Sequence, residues 1–162
     1  MARSGCPINA AVEAFGDRWS LIVLRDVMFG GRRHFNELLA GSLEGIASNV
    51  LADRLKQLVA GGLLTRSHAR RGQRVTYSLT EAAIQLVPVF SALGAWGLTH
   101  RPTDEPLRVR AQILAAGGPA VWDEFMAEQR AVHLGAPSPG SDVIERLETA
   151  YVDAIKKPTG GE

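Results

Sequence analysis

Apolar and polar positions alternate along the first hundred residues in short helical stretches separated by glycine. Residues 8–15 form a short apolar helix candidate that stops at Gly16-Asp17. Asp17 is placed to cap a second helix, in which Trp19, Ile22, Val23 and Val27 recur at helical spacing before Gly30-Gly31. A third is predicted over 35–39, closed by Gly41. Val50, Leu51, Leu55, Leu58 and Val59 mark a fourth, over 48–60, ended by Gly61-Gly62. The period then changes to two. Residues 63–69 and 74–79 flank Arg70-Arg71-Gly72-Gln73, and Val75, Tyr77 and Leu79 alternate with Arg74, Thr76 and Ser78, the pattern of a hairpin with a basic tip. Thr80 is placed to cap a longer helix through Ile84, Leu86, Val87, Phe90, Leu93 and Trp96, bent or locally loosened at Pro88.

Arg101-Pro102-Thr103-Asp104-Glu105-Pro106 reads as a linker and sets a boundary between a region 1–100 and an extension 101–162. In the extension, helices are expected over 108–116, up to Gly117-Gly118, and over 120–134, with Pro119 as a first helical residue. After a Pro- and Gly-rich loop over 135–140, Ser141 is placed to cap a last helix carrying Val143, Ile144, Leu147, Tyr151 and Ile155. The expected fold is mainly α with a small β-hairpin wing: a winged helix-turn-helix plus a C-terminal helical extension.

Composition narrows the class. The chain has 162 residues, 46% apolar and 22% charged, enough for one domain with a core, or one plus a short appendage, and unlike disordered, collagenous or coiled-coil sequences. The charge-free run over 82–97 is expected to fall short of a membrane span, and Met1-Ala2-Arg3-Ser4-Gly5 opens on no secretory pattern. One cysteine builds no internal disulfide framework, so a cytoplasmic location and no membrane partner are expected. Charge is unevenly placed. Residues 1–100 hold eleven Lys and Arg against seven Asp and Glu, a net of +4, whereas 101–162 hold seven against ten, a net of −3. Residues 18–80 alone carry a net of +6, from ten basic and four acidic side chains. A partner of negative charge touching one region accounts for this, as does a merely solvated basic face.

Several motifs together resemble the HxlR-type winged-helix regulators. They are Cys6-Pro7, Phe15-Gly16-Asp17-Arg18-Trp19-Ser20-Leu21-Ile22-Val23-Leu24-Arg25-Asp26, Arg33-His34-Phe35-Asn36-Glu37-Leu38, Gly45-Ile46, Leu51-Ala52-Asp53-Arg54-Leu55-Lys56-Gln57-Leu58, Gly62-Leu63-Leu64, Tyr77-Ser78-Leu79-Thr80 and the helix from Pro88 to Trp96-Gly97. The resemblance spans 6–97 and rests on the order and spacing of the pieces. It implies a bacterial, dimeric transcription factor that binds a two-fold operator, usually as a repressor, and leaves 101–162 unexplained. One departure concerns the start of the fourth helix. The family usually has serine where Ala47 stands and proline or a similar residue at Ser48. Either Ser48 takes over the cap or the helix begins under-capped by about 1 kcal/mol.

On that basis the fourth helix is the recognition helix. Ser48, Asn49, Val50, Asp53 and Lys56 are its candidate contacts, Asn49 matching adenine through its amide and Val50 a thymine methyl. Arg70, Arg71 and Arg74 on the wing (66–78) suit the flanking backbone or the minor groove; the plain alternative is an edge hairpin kept soluble by charge. Arg32, Arg33 and His34 precede the third helix, where a phosphate is favoured, though each also suits a carboxylate such as Glu37. Arg18, at the start of the second helix, has a similar use. Arg54 suits either phosphate or an ion pair with Asp26 or Glu37. Cys6 sits where several members of the family carry a redox-sensing cysteine; lone cysteines are otherwise more often inert packing residues, and only Arg3 is placed to activate it.

Trp96, Trp122, Phe125 and Tyr151 suit helix packing or an effector pocket. His34, His68, His100 and His133 are scattered, and GxSxG, P-loop and GxGxxG patterns are missing, so neither an enzyme, nor a metal site, nor a cofactor is expected. The sequence reads as a homodimeric, sequence-specific regulator of double-stranded DNA, responsive to a small-molecule or oxidant effector. The alternative is a winged-helix protein-interaction module without specific DNA binding.

Overall fold

The computed structural model describes residues 4–157, leaving Arg3 outside. In order, the elements are α1 (Pro7–Phe15), α2 (Arg18–Met28), α3 (Phe35–Ala40), α4 (Ser48–Ala60), β1 (Leu64–Arg66), β2 (Tyr77–Leu79), α5 (Glu81–Ile84), α6 (Val87–His100), α7 (Glu105–Leu134) and α8 (Val143–Lys156). The chain divides into two compact units, Met1–Ile84 and Gln85–Glu162. The division falls ahead of the boundary expected at the linker, because α6 packs on α7.

In the first unit, α2, α3 and α4 enclose a core of Val23, Leu24, Val27, Leu38, Leu51, Leu55 and Leu58, closed by Leu64 and Leu79 of the hairpin. Complete burial of a leucine contributes about 1.5–3 kcal/mol, so the three leucines of α4 are the main reason this helix stays on α2. The Asp17 carboxylate caps α2, accepting the N–H groups of Trp19 at 3.1 Å and Ser20 at 3.0 Å. The strands pair antiparallel with Leu64 opposite Leu79, Thr65 opposite Ser78 and Arg66 opposite Tyr77. They are shorter than the alternation suggested. The Ser67 N–H still reaches the Thr76 carbonyl at 2.9 Å, and beyond it 68–74 are exposed in a tip that carries three arginines.

The helix expected to start at Thr80 and bend or loosen at Pro88 goes further and is divided in two. Thr80 Oγ1 accepts the Ala83 N–H at 3.3 Å, but α5 ends at Ile84 and α6 restarts at Val87. Pro88 explains the break: without an N–H it is tolerated in a helix's first turn and disrupts an interior. By length and composition alone the stretch Glu81–His100 is apolar enough to cross a membrane, a property that core helices of soluble proteins share.

In the second unit, α6 and α8 both pack on α7, around Leu114, Phe125, Val143 and Leu147. The 30-residue α7 is broken where Gly117-Gly118-Pro119 indicated. Gly118 adopts φ 59° and ψ −156°, a conformation essentially restricted to glycine. The indole N–H of Trp122 donates to the Leu114 carbonyl at 2.8 Å beside the break. The expected Ser141 cap of α8 is not what forms. Asp142 occupies the cap position, and the buried Glu128 carboxylate reaches across from α7 to accept the N–H groups of Val143 at 2.7 Å and Ile144 at 2.8 Å. A carboxylate at a helix's positive end is favourable, and this one joins the two helices.

Candidate nucleic-acid interface

The candidate surface is built on α4 and the wing, both in the first unit. Burial of Leu51, Leu55 and Leu58 turns Ser48, Asn49, Asp53 and Lys56 outward, all exposed, with Val50 half-buried at the edge of the core. Ala47 takes the cap position in extended conformation (φ −74°, ψ 147°), with no side-chain oxygen to cap the helix, and Ser48 is the first helical residue. The under-capped alternative is therefore the one adopted, and it leaves first-turn N–H groups open to an anion.

An ion-pair group behind α4 holds the helix-turn-helix together. The Arg25 guanidinium donates to both oxygens of Glu44, at 2.6 and 2.9 Å, and to Asp26 at 2.9 Å, fastening α2 to the loop that leads into α4. Burial works against the Arg25 charge, but Glu44 and Asp26 outweigh it and hold the guanidinium above its usual range. Glu44 is held below the usual carboxyl range by its bonds to Arg25. Asp26 is pushed upward, because its burial outweighs the attraction of Arg25 and Arg32. Arg32 lies 3.4 Å from Asp26, and Ser42 Oγ accepts the Ile46 N–H at 3.0 Å.

Arg54 makes an ion pair, but with neither carboxylate expected. Its partners are Asp17, at 3.4 Å, and the adjacent Asp53, at 2.9 Å. It joins the start of α2 to the middle of α4, and Asp53 also accepts from Gln57 at 3.1 Å. Asp17 experiences a burial penalty, overcome by its bonds from Ser20 and Trp19 and by the Arg54 charge, so its carboxyl is held low. Arg18 lies over the Trp19 ring at 4.6 Å.

At the wing tip the Gln73 N–H donates to the Arg70 carbonyl at 2.9 Å, and Gly72 takes φ 87°, which a side chain would disfavour. Arg70 and Arg71 are exposed there. Arg74 is exposed too but pairs with Glu37 of α3 at 2.7 Å. Arg33 and His34, expected to meet phosphate, are turned toward the wing. The Arg33 guanidinium donates to the Tyr77 carbonyl at 3.2 Å and to Ser78 Oγ, the Arg33 carbonyl accepts the Tyr77 N–H at 2.8 Å, and His34 Nδ1 lies 2.9 Å from the Val75 carbonyl. Glu37 also accepts the Arg33 backbone N–H at 3.2 Å; that bond, with the hydrogen bond and charge of Arg74, holds its carboxyl low.

Cys6 is an exposed free thiol at the cap position of α1. The four aromatic candidates Trp96, Trp122, Phe125 and Tyr151 have separate surroundings. Phe125 is buried, Trp122 is tied to Leu114, Tyr151 lies under Arg110 at 4.3 Å, and Trp96 is 54% exposed beneath Arg101 at 4.8 Å. Among the described residues, no group of three or more His, Cys, Asp or Glu side chains is arranged to hold a metal ion.

Two helices joined by a loop over 41–47, the second presenting a polar face, followed by an antiparallel hairpin with a basic tip, define a winged helix-turn-helix protein. The chain belongs to the HxlR-like helix-turn-helix family, whose model matches residues 14–105. It is 38% identical over 109 residues to the HTH-type transcriptional regulator Rv3095 of Mycobacterium tuberculosis, covering 65% of this chain and 67% of that one. To the HTH-type transcriptional regulator sll1512 of Synechocystis it is 36% identical, over 57% of this chain and 67% of the relative. Among solved structures it is similar to PA1607, a transcription factor (TM-score 0.56, 31% identity, 64% of this chain and 70% of that one). It is also similar to the redox regulator HypR in its oxidised form (TM-score 0.53, 28% identity, 60% and 100%). The protein is a DNA-binding transcriptional regulator.

Proposed function

We propose that the protein is a homodimeric repressor that reads a two-fold operator with α4 in the major groove and the wing on the flanking backbone or minor groove. The observation that carries this reading is the joint exposure of Ser48, Asn49, Asp53 and Lys56 at the under-capped start of α4 and of Arg70 and Arg71 on the wing. Asn49 reads adenine, Val50 touches a thymine methyl, and Ser48 and the open N–H groups take a phosphate. Arg70 and Arg71 neutralise flanking phosphates. Arg32, Arg54 and Arg74 already face carboxylates, so their part in binding is secondary.

Two recognition helices must stand about one DNA turn apart, which calls for a dimer. Exposed apolar side chains supply surfaces for it: Ile8 (75% exposed) and Val12 (57%) on α1, and Val89, Leu93 and Trp96 on α6. Residues 1–100 then form the DNA-binding and dimerisation region, and 101–162 strengthen the dimer or carry the effector response. The similarity to HypR, a redox regulator with oxidised and reduced forms, supports a sensing role for the exposed Cys6 thiol, with an oxidant as effector.

Binding to a duplex selected from random sequence, before and after mild thiol oxidation, tests the reading. Competitor-resistant binding that is lost on oxidation in the wild type, and kept in Cys6→Ser, is expected. Binding that ignores the oxidant removes the Cys6 role, and no binding by the folded dimer leaves a protein-interaction module.

A further inference from the structure

Arg33, His34 and Glu37 stand at the start of α3, yet what they touch is the wing. The Arg33 side chain spans the β2 backbone from the Tyr77 carbonyl to the Ser78 hydroxyl, while its own carbonyl accepts the Tyr77 N–H. His34 reaches the carbonyl of Val75, and Glu37 accepts from both Arg33 and Arg74. A two-stranded hairpin with three paired positions is marginal alone, so its attitude must come from what it is fastened to. Hydrogen bonds to charged groups are about twice as strong as neutral ones, and a guanidinium fork fixes direction as well as distance.

We propose that Arg33, His34 and Glu37 form a clasp that sets the angle of the wing against α3, making Arg33 and Glu37 positioning residues for the DNA contacts of Arg70 and Arg71. This rests on the DNA-binding reading above and revises one part of it, since Arg33 is spent on the wing and not on phosphate. The clasp also explains an acidic residue on a surface meant for a polyanion. By charge alone Glu37 opposes DNA, and removing it would tighten binding. As a clasp member it does the reverse, and its loss weakens binding although the net charge rises.

The test compares Glu37→Gln, Arg33→Lys and Arg33→Ala with wild type on a duplex selected by wild type from random sequence. Three readouts are affinity across a salt series, hydroxyl-radical protection, and amide hydrogen exchange of the wing in the free protein. Glu37→Gln is expected to bind about tenfold more weakly, the effect of losing one charge-assisted bond. Arg33→Lys is expected to fall as far as Arg33→Ala, because lysine restores the charge without the fork. In each variant protection by the wing is lost while protection by α4 remains, and exchange at Tyr77 quickens while Leu55 keeps its protection. Tighter binding by Glu37→Gln, or full rescue by Arg33→Lys with a salt slope equal to wild type, overturns the proposal. If wild type selects no duplex, the DNA reading fails separately, and unchanged exchange at Tyr77 in the variants would still overturn the clasp.

Discussion

At the residue scale the surface divides into side chains that are engaged and side chains that are presented. Asn49 is presented, so Asn49→Ala is expected to weaken specific binding by about 1–3 kcal/mol and relax preference at one base position. Its melting temperature should stay at the wild-type value, which separates lost reading from lost fold. The engaged carboxylates make stability depend on pH. Asp17 and Glu44 are held below their ordinary values, so the folded state binds fewer protons than the unfolded chain. Their contribution is complete above the ordinary carboxyl range, about pH 4, and is lost below it, as pH falls through their lowered folded values. Asp26 runs the other way: its raised value means that its charged form opposes folding, and acid relieves that opposition. With three lowered carboxyls in the helix-turn-helix, Asp17, Glu37 and Glu44, against the one raised, denaturation midpoints should fall on acidification below that range. In Glu44→Gln the fall should be shallower.

Elements formed where the chain announces them, and the exceptions have local causes. The spacing of Leu51, Leu55 and Leu58 predicts α4, and Gly118-Pro119 predicts the break in α7; both are present. The split between α5 and α6 was less legible, because the apolar period continues through Gln85 and only Pro88 marks where a helix can restart. Ion pairs were the least legible feature. Glu37 meets Arg74 across 37 positions, and Arg54 meets Asp17 across the same number, separations that no periodicity encodes. Glu128, which caps α8 from α7, is likewise visible only once the helices pack. Two outcomes follow for the elements. Ala47→Ser should supply the missing cap of α4 and raise stability by about 0.5–2 kcal/mol, checked by urea denaturation. Leu55→Ala should cost about 2–5 kcal/mol in the same assay, because Leu55 is 1% exposed in the core that holds α4.

For the whole molecule, the uneven charge of the sequence follows function more than fold. The net of +6 over residues 18–80 lies in the unit that carries α4 and the wing, and the net of −3 lies beyond residue 100. In the proposed dimer a polyanion is met by one part of the chain, and the exposed apolar side chains of α1 and α6 are left for self-association. Ile8→Glu with Val12→Glu should shift sedimentation from dimer toward monomer and weaken operator binding while leaving the fold in place. A dimer unaffected by these changes would move the interface away from α1.

The central claim is that DNA is held by the wing arginines as well as by α4, and the salt dependence of binding tests it most directly. Each phosphate neutralised contributes about −0.9 to the slope of log affinity against log salt. For the double variant Arg70→Ala with Arg71→Ala, a slope shallower than wild type by about two per subunit is expected, with weaker binding to every sequence and an unchanged order of preference among them. An unchanged slope would contradict the account, because it would mean that the wing does not touch the DNA backbone.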